Sequence, residues 1–189
     1  MKADSLFSDK SKNKSGTFQS NRSGFQNRAR SAALLGMCVA VSMMLSYVES
    51  FFSIGISGVK PGLANIVTVF LIYRASTPAA AATAAVRIVL SAIFFGTPIT
   101  LIYSAAGAVL SIAGMWILKH RNLFSPIGVS VAGGVLHNAG QLLVAIAITG
   151  TVQAAYYLPV LILSGVLAGI AVGICGGILL KKLPLQTYR

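Results

Sequence analysis

Six apolar stretches, at about 32–48, 61–73, 78–95, 98–118, 126–149 and 154–180, follow one another along the chain with short polar breaks between them. Most approach the roughly 20 residues that a helix needs to cross the hydrocarbon of a bilayer. None alternates apolar and polar residues with period two, so a helical bundle, whose backbone satisfies its own polar groups, is expected ahead of a barrel. The second stretch is too short for a full crossing and is expected to start inside a loop that dips toward the membrane. Hydrophobic residues make up 56% of the chain. The expected fold is all-α: a compact, polytopic membrane bundle of about six transmembrane helices.

A formal charge of +12 would suggest nucleic acid in a soluble protein, but its placement gives it another meaning. Seven of the fifteen Lys and Arg lie in residues 1–31; Arg74 follows the second stretch, Lys119 and Arg121 the fourth, and Lys181, Lys182 and Arg189 the sixth. Threading six helices puts all of these on one side and leaves only Lys60 on the other. The positive-inside rule then places both termini in the cytoplasm of a bacterial inner-membrane protein, with the basic side facing anionic headgroups and no nucleic-acid role.

Residues 1–31, rich in Ser, Asn, Lys and Gln and without apolar period, have the composition of a disordered basic cytoplasmic tail. A signal peptide with 32–45 as its apolar region is the competing reading; the long preceding tail and the lack of a small-x-small cleavage site argue against it. The transmembrane domain is expected at 32–182 and a short cytoplasmic tail at 183–189. Cys38 and Cys175 fall in apolar helices, where they behave as small hydrophobes.

Helices in lipid are held by close approach of small residues. Gly165, Gly169, Gly173 and Gly177 recur every four residues in the last helix and are expected to pack inside the bundle, ahead of homodimerisation. Ala32, Gly36 and Ala40 make a shorter stripe on the first helix, with Ser42, Ser46 and Ser50 on another face. The Ala32 stripe is a candidate for docking a partner or for plain packing.

Charges inside a bilayer are costly and mark function by default. Of the three carboxylates in the chain, Asp4, Asp9 and Glu49, only Glu49 touches an apolar segment. Glu49 ends the first helix and Lys60 opens the second across a loop with Gly55 and Gly58, so they are expected near the outer surface as a salt bridge or as a gate. Asn65, one turn further on, faces the bundle to bond another helix or a ligand. Arg87 stands deep in the third helix, where it cannot easily reach either face, and needs an anion. If Lys60 takes Glu49, Arg87 is left to bind a phosphate- or carboxylate-bearing ligand with its guanidinium fork; if not, Glu49 is its partner. His137 and Gln141, four apart, share a face with Asn138 beside them and glycines 133, 134 and 140 around them. Such a face suits a cavity wall. With no second His or carboxylate at ligand spacing, a metal site is not expected, and no cofactor is assigned.

The runs Leu45-Ser-Tyr-Val-Glu49, Gly58-Val-Lys-Pro-Gly-Leu-Ala-Asn65, the Arg87 helix ending in Phe95-Gly96, Gly128-Val-Ser-Val-Ala-Gly133 and His137-Asn-Ala-Gly-Gln141 resemble the Gx transporter family, also catalogued as heptaprenyl diphosphate synthase component I. The resemblance spans about 32–182. More distantly the chain is similar to the substrate-capturing S components of energy-coupling factor transporters. That kinship implies a cavity opening outward, a lid between helices one and two, and small residues of helix one (Ala32, Gly36 and Ala40) against a coupling partner.

The two family names point to different functions. A prenyl synthase needs clustered aspartates to hold magnesium against diphosphate; Asp4 and Asp9 in the tail and a lone Glu49 do not supply that site. At most the chain would be a non-catalytic accessory subunit. Capture or transport of an anionic solute or lipid-like cofactor uses what is present, a basic polar cavity among Gly-rich helices. There is no phosphate-binding loop of the Gly-x-x-x-x-Gly-Lys type, so ATP would be handled by other subunits. A third reading, a cofactor-handling subunit of a flavin or quinone electron-transfer system, is implied only by the family's relatives, since the sequence carries no haem or iron–sulfur ligand set. The expected site residues are Arg87 as anion clamp, Lys60 and Glu49 at the entrance, and Asn65, His137, Asn138 and Gln141 along the wall.

Overall fold

The computed structural model describes residues 29–49, 51, 62–121 and 124–182, apart from the Phe95 side chain. Six α-helices occupy them: α1 (Ala29–Glu49), α2 (Asn65–Arg74), α3 (Thr77–Phe95), α4 (Pro98–Arg121), α5 (Pro126–Thr149) and α6 (Leu158–Lys182), with a 3₁₀ turn at Val152–Tyr157 before α6. There is no strand among the described residues. All of these helices except α2 are long and apolar enough to cross a membrane, so the protein is a multi-pass helical membrane protein. The chain divides into two compact units, Met1–Met37 and Cys38–Arg189. In the first, the described residues are the opening turns of α1; the second holds the rest of α1 and everything that follows.

Ala29, Arg30 and Ser31, assigned to the tail from sequence, are the first turn of α1; Ala and Arg are good helix formers and extend the apolar run backwards. The rest of that tail and residues 183–189 lie outside the described residues. The sixth stretch is also subdivided: Gly150 closes α5 in a left-handed conformation at φ 64°, its N–H returning to the Ile146 carbonyl. The 3₁₀ turn then leads to Leu158-Pro159, where proline is tolerated because the first helical N–H groups have no partner in any case.

Other boundaries follow local chemistry. Ser76 and Ser125 cap α3 and α5 by accepting from the N–H groups of Ala79 and Gly128, each with a proline in the first turn. Thr97 and Thr100 bond reciprocally across the start of α4, a capping box in which the second partner is threonine.

The packing of α5 sets the core of the second unit. Its glycines remove the Cβ layer on two sides: a Cβ on Gly140 would lie 2.9 Å from the Gly107 Cα of α4, and one on Gly134 would lie 2.4 Å from the Gly165 carbonyl oxygen of α6. From the other side, Cβ atoms on Gly165, Gly169 and Gly173 would run into the α5 backbone at Val135, Val131 and Ile127. Backbones this close gain the dispersion and dipole contacts that hold helices together in lipid. Gly177 differs: a Cβ there would meet nothing within 4 Å.

Helix α2 has 10 residues, about 15 Å, or half the hydrocarbon thickness. Val67, Val69, Phe70, Leu71 and Ile72 are all buried. Lys119 of α4 donates to the Ile72 carbonyl near the C-terminus of α2 and lies over the Tyr73 ring, while Arg74 of α2 donates to the Leu180 carbonyl near the C-terminus of α6. Cations at helix C-termini complement the dipole. These bonds gather the basic ends of α2, α4 and α6 on one face. The N-terminus of α2 therefore sits at mid-depth, the interior position where a half-length helix must stop.

Candidate functional site

At that depth the apolar interior is interrupted. Arg87 is the eleventh of the 19 residues of α3 and His137 the twelfth of the 24 of α5, so both stand halfway along their helices. Around them Ser46, Glu49, Asn65, Asn138 and Gln141 are buried as well. Lone charges are rare in this setting, and polar groups here need partners.

Glu49 is only 2% exposed. Its Oε1 accepts from the Ala64 N–H at 3.3 Å, immediately before α2. A carboxylate there complements the positive pole of the short helix. The same carboxylate attracts Arg87 electrostatically, and Arg87 Nη1 donates to Ser46 Oγ at 3.1 Å. Ser42, Ser46 and Glu49, spaced by four and three, thus turn one polar face of α1 inward. The sequence offers Glu49 either as an entrance group beside Lys60 or as the partner of Arg87; in the structure it is buried, attracting Arg87 and holding the N-terminus of α2. Helix position alone does not reveal that a dipole waits opposite. Lys60, its expected partner, lies outside the described residues.

Nε and Nη2 of Arg87 are buried without a hydrogen-bond partner. Each such donor costs on the order of 1–3 kcal/mol. They border a cavity of about 20 Å³ lined by Ser46 and Glu49 of α1, Arg87, Ile88 and Ser91 of α3, Ser104 of α4, and His137 and Gln141 of α5. That volume admits about one water molecule.

Gln141 Nε2 and His137 Nε2 lie 3.2 Å apart, and Gln141 Oε1 has no partner. The His137 ring rests on Gly107, where a Cβ would come within 2.9 Å of Nδ1. Gly62 and Asn65 cover its other edge: a Cβ on Gly62 would lie 3.2 Å from Asn65 Nδ2 and 3.7 Å from His137 Cδ2. Gly62 also holds φ 85°, a left-handed conformation natural to glycine. The two most distinctive sequence motifs, ending at Asn65 and starting at His137, therefore meet in space.

Asn138 points elsewhere. Its Nδ2 donates to the Leu161 carbonyl of α6 at 2.8 Å, and it does not line the cavity. Adjacent helical residues differ by about 100° in direction, so His137 and Asn138 serve different neighbours. The cavity includes three serines that the sequence reading did not single out as site residues: Ser46, Ser91 and Ser104. Their signal is faint, since serine in a membrane helix usually bonds its own backbone, as Ser42 does with Cys38.

Of the docking stripe, Ala32, Gly36 and Ala40 are exposed on α1. Neither a curated protein nor a solved structure matches the chain. The family model described as heptaprenyl diphosphate synthase component I matches residues 37–179, and the chain belongs to that family.

Proposed function

We propose that this protein is the membrane-embedded recognition subunit of a multi-subunit system, binding the anionic group of a small molecule or lipid-like cofactor at Arg87. The observation that carries this reading is the buried guanidinium with two donors unused, bordering a polar cavity beside the N-terminus of a half-length helix. Half-helices ending in a membrane interior are suited to hold anions, because their dipole supplies positive potential where water is excluded, and at α2 the Ala64 N–H already holds a carboxylate, that of Glu49. Arg87 adds a fork matched to phosphate or carboxylate oxygens. His137 and Gln141 orient the ligand from the side, Asn65, which does not line the cavity, stands beside His137 at Gly62, and Asn138 fixes α5 against α6 behind them.

In the closed arrangement Glu49 stands in for the ligand's anion. Loading requires the Ser46–Glu49 end of α1 to withdraw. The ligand enters from the side opposite the basic helix ends, and both termini are cytoplasmic by the positive-inside count. The Ala32, Gly36 and Ala40 face of α1 docks the partner subunit, in the manner of an S component.

The family description favours a second reading, in which the same site serves a heptaprenyl diphosphate synthase as a non-catalytic accessory subunit. Both readings are tested by mass spectrometry of small molecules retained through purification in mild detergent. Wild type should retain an anionic compound that Arg87→Ala loses by at least about tenfold, with Arg87→Lys intermediate because it keeps the charge and loses the fork. A retained prenyl diphosphate selects the accessory reading. Equal retention by wild type and Arg87→Ala would remove Arg87 from the site.

A further inference from the structure

Helices α3 and α4 leave between them a groove of about 500 Å³ with an almost entirely apolar lining, open along one side to the exterior of the helices. Alanines make its width: Ala81 and Ala85 on α3 face Ala105 and Ala113 on α4. The lining runs from Thr77 to Val89 on α3 and from Leu101 to Trp116 on α4, about 18–22 Å of helix at a rise of about 1.5 Å per residue. Further along, the small side chains give way to the large, exposed Ile93, Phe94 and Ile99. Helix α3 begins and α4 ends on the side where Lys119 donates to the Ile72 carbonyl. The groove therefore starts at the basic end of the second unit and stops near mid-depth, about the reach of one leaflet of a bilayer whose hydrocarbon is about 30 Å thick.

At the mouth of the groove the chemistry changes. Trp116 ends the apolar lining, the His120 ring packs against it with centroids 5.6 Å apart, and Lys119 and the exposed Arg121 lie in the next turn. Amphipathic rings settle at the level of lipid headgroups, and cations just beyond them meet phosphates. Beyond residue 9 the chain has a single carboxylate, Glu49, and that one is buried beside Arg87. The second unit thus offers these cations no carboxylate of its own, and Lys119, with one N–H on Ile72, keeps two more to donate.

We infer that the groove is a binding site for an anionic phospholipid of the basic-side leaflet, with one acyl chain lying along the alanines and the phosphate held by Lys119 and Arg121. A partner's transmembrane helix fits less well: it is about 10–12 Å across and spans the whole hydrocarbon, whereas the groove ends where a lipid tail ends. This site is separate from the anion site at Arg87 and does not depend on it.

Trp116 is the only tryptophan in the chain, so its fluorescence reports on the groove alone. Full-length protein in phosphatidylcholine vesicles is titrated with phosphatidylglycerol or phosphatidylcholine brominated near the glycerol end of one chain, since bromine quenches tryptophan on contact. Phosphatidylglycerol should reach half-maximal quenching at a mole fraction at least about fivefold lower than phosphatidylcholine, because each basic residue near an anionic headgroup is worth about that factor. Arg121→Gln should remove most of this preference. Ala85→Phe, at an exposed position of the groove wall, should abolish it, and Ala81→Phe should do the same if Ala85→Phe does not fold. Replacing both Lys181 and Lys182 with Gln, exposed at the same end on α6, should leave it unchanged.

Equal quenching curves for the two lipids in wild type overturn the site, as does a preference that survives Arg121→Gln or both groove variants. A loss as large in the Lys181 and Lys182 double variant as in Arg121→Gln shows general surface charge and overturns it too. Quenching by both lipids that weakens as the protein-to-lipid ratio rises means that a second copy of the chain covers the groove in place of lipid.

Discussion

The Glu49–Arg87 pair is the residue-scale feature on which most else turns. Both groups are buried, so neither finds compensation in water, and removing one leaves the other uncompensated at a cost of about 3–5 kcal/mol. Glu49→Gln and Arg87→Gln should each destabilise the protein by that order in mixed-micelle unfolding. The double variant should lose much less than the sum, because it removes both charges together. Strict additivity of the two losses would show that the pair is not coupled. Gly62 makes a separate prediction: at φ 85°, with Asn65 and His137 against it, Gly62→Ala carries a left-handed penalty of about 1–2 kcal/mol. Ligand retention should fall with it, since the strain is released into the α2 N-terminus.

Among the elements, α5 and α6 are held by backbone proximity along the glycine stripe, with the Asn138–Leu161 bond and the Leu142–Leu161 contact at one end of it. A Cβ on Gly169 would lie 2.5 Å from the Val131 Cα, a contact that no rotamer relieves. Gly169→Ala should therefore cost about 1–3 kcal/mol as the helices part. Gly177→Ala, one repeat later, meets open space and should be neutral or slightly stabilising through helix propensity. Thermal midpoints of the two variants in one detergent compare them directly; equal losses would mean the spacing, and not the α5 contact, is what matters. The short α2 is a different kind of element. Its ten residues are stabilised by burial and by Lys119 at the Ile72 carbonyl, which is how a helix too short to span can stop inside the membrane with both ends satisfied.

At the scale of the whole molecule, the gathering of Arg74, Lys119, Arg121, Lys181 and Lys182 toward one end and of the α3–α4 and α5–α6 connections toward the other defines two faces. With Cys38 and Cys175 replaced by Ser, a cysteine at Arg121 should react with a membrane-impermeant maleimide only in inverted vesicles. One at Thr151 should react only in right-side-out vesicles. Labelling of both from the same side would refute the six-helix threading.

Much of this architecture was legible in the chain. Apolar length fixed the number and extent of the helices to within a few residues, because lipid leaves the backbone no alternative to helical hydrogen bonding. The scarcity of carboxylates made Arg87 and Glu49 stand out for the same reason: a charge in hydrocarbon is expensive wherever it occurs. Glycine spacing marked a face for close packing. What residue spacing could not supply was direction and depth in three dimensions. Only the folded chain decided that Glu49 turns inward to the α2 N-terminus, that Asn138 serves α6 while His137 serves the cavity, and that Gly177 lies off the contact. Each depends on which helices become neighbours and how they rotate, and that is set by the sum of many small packing contacts between distant segments.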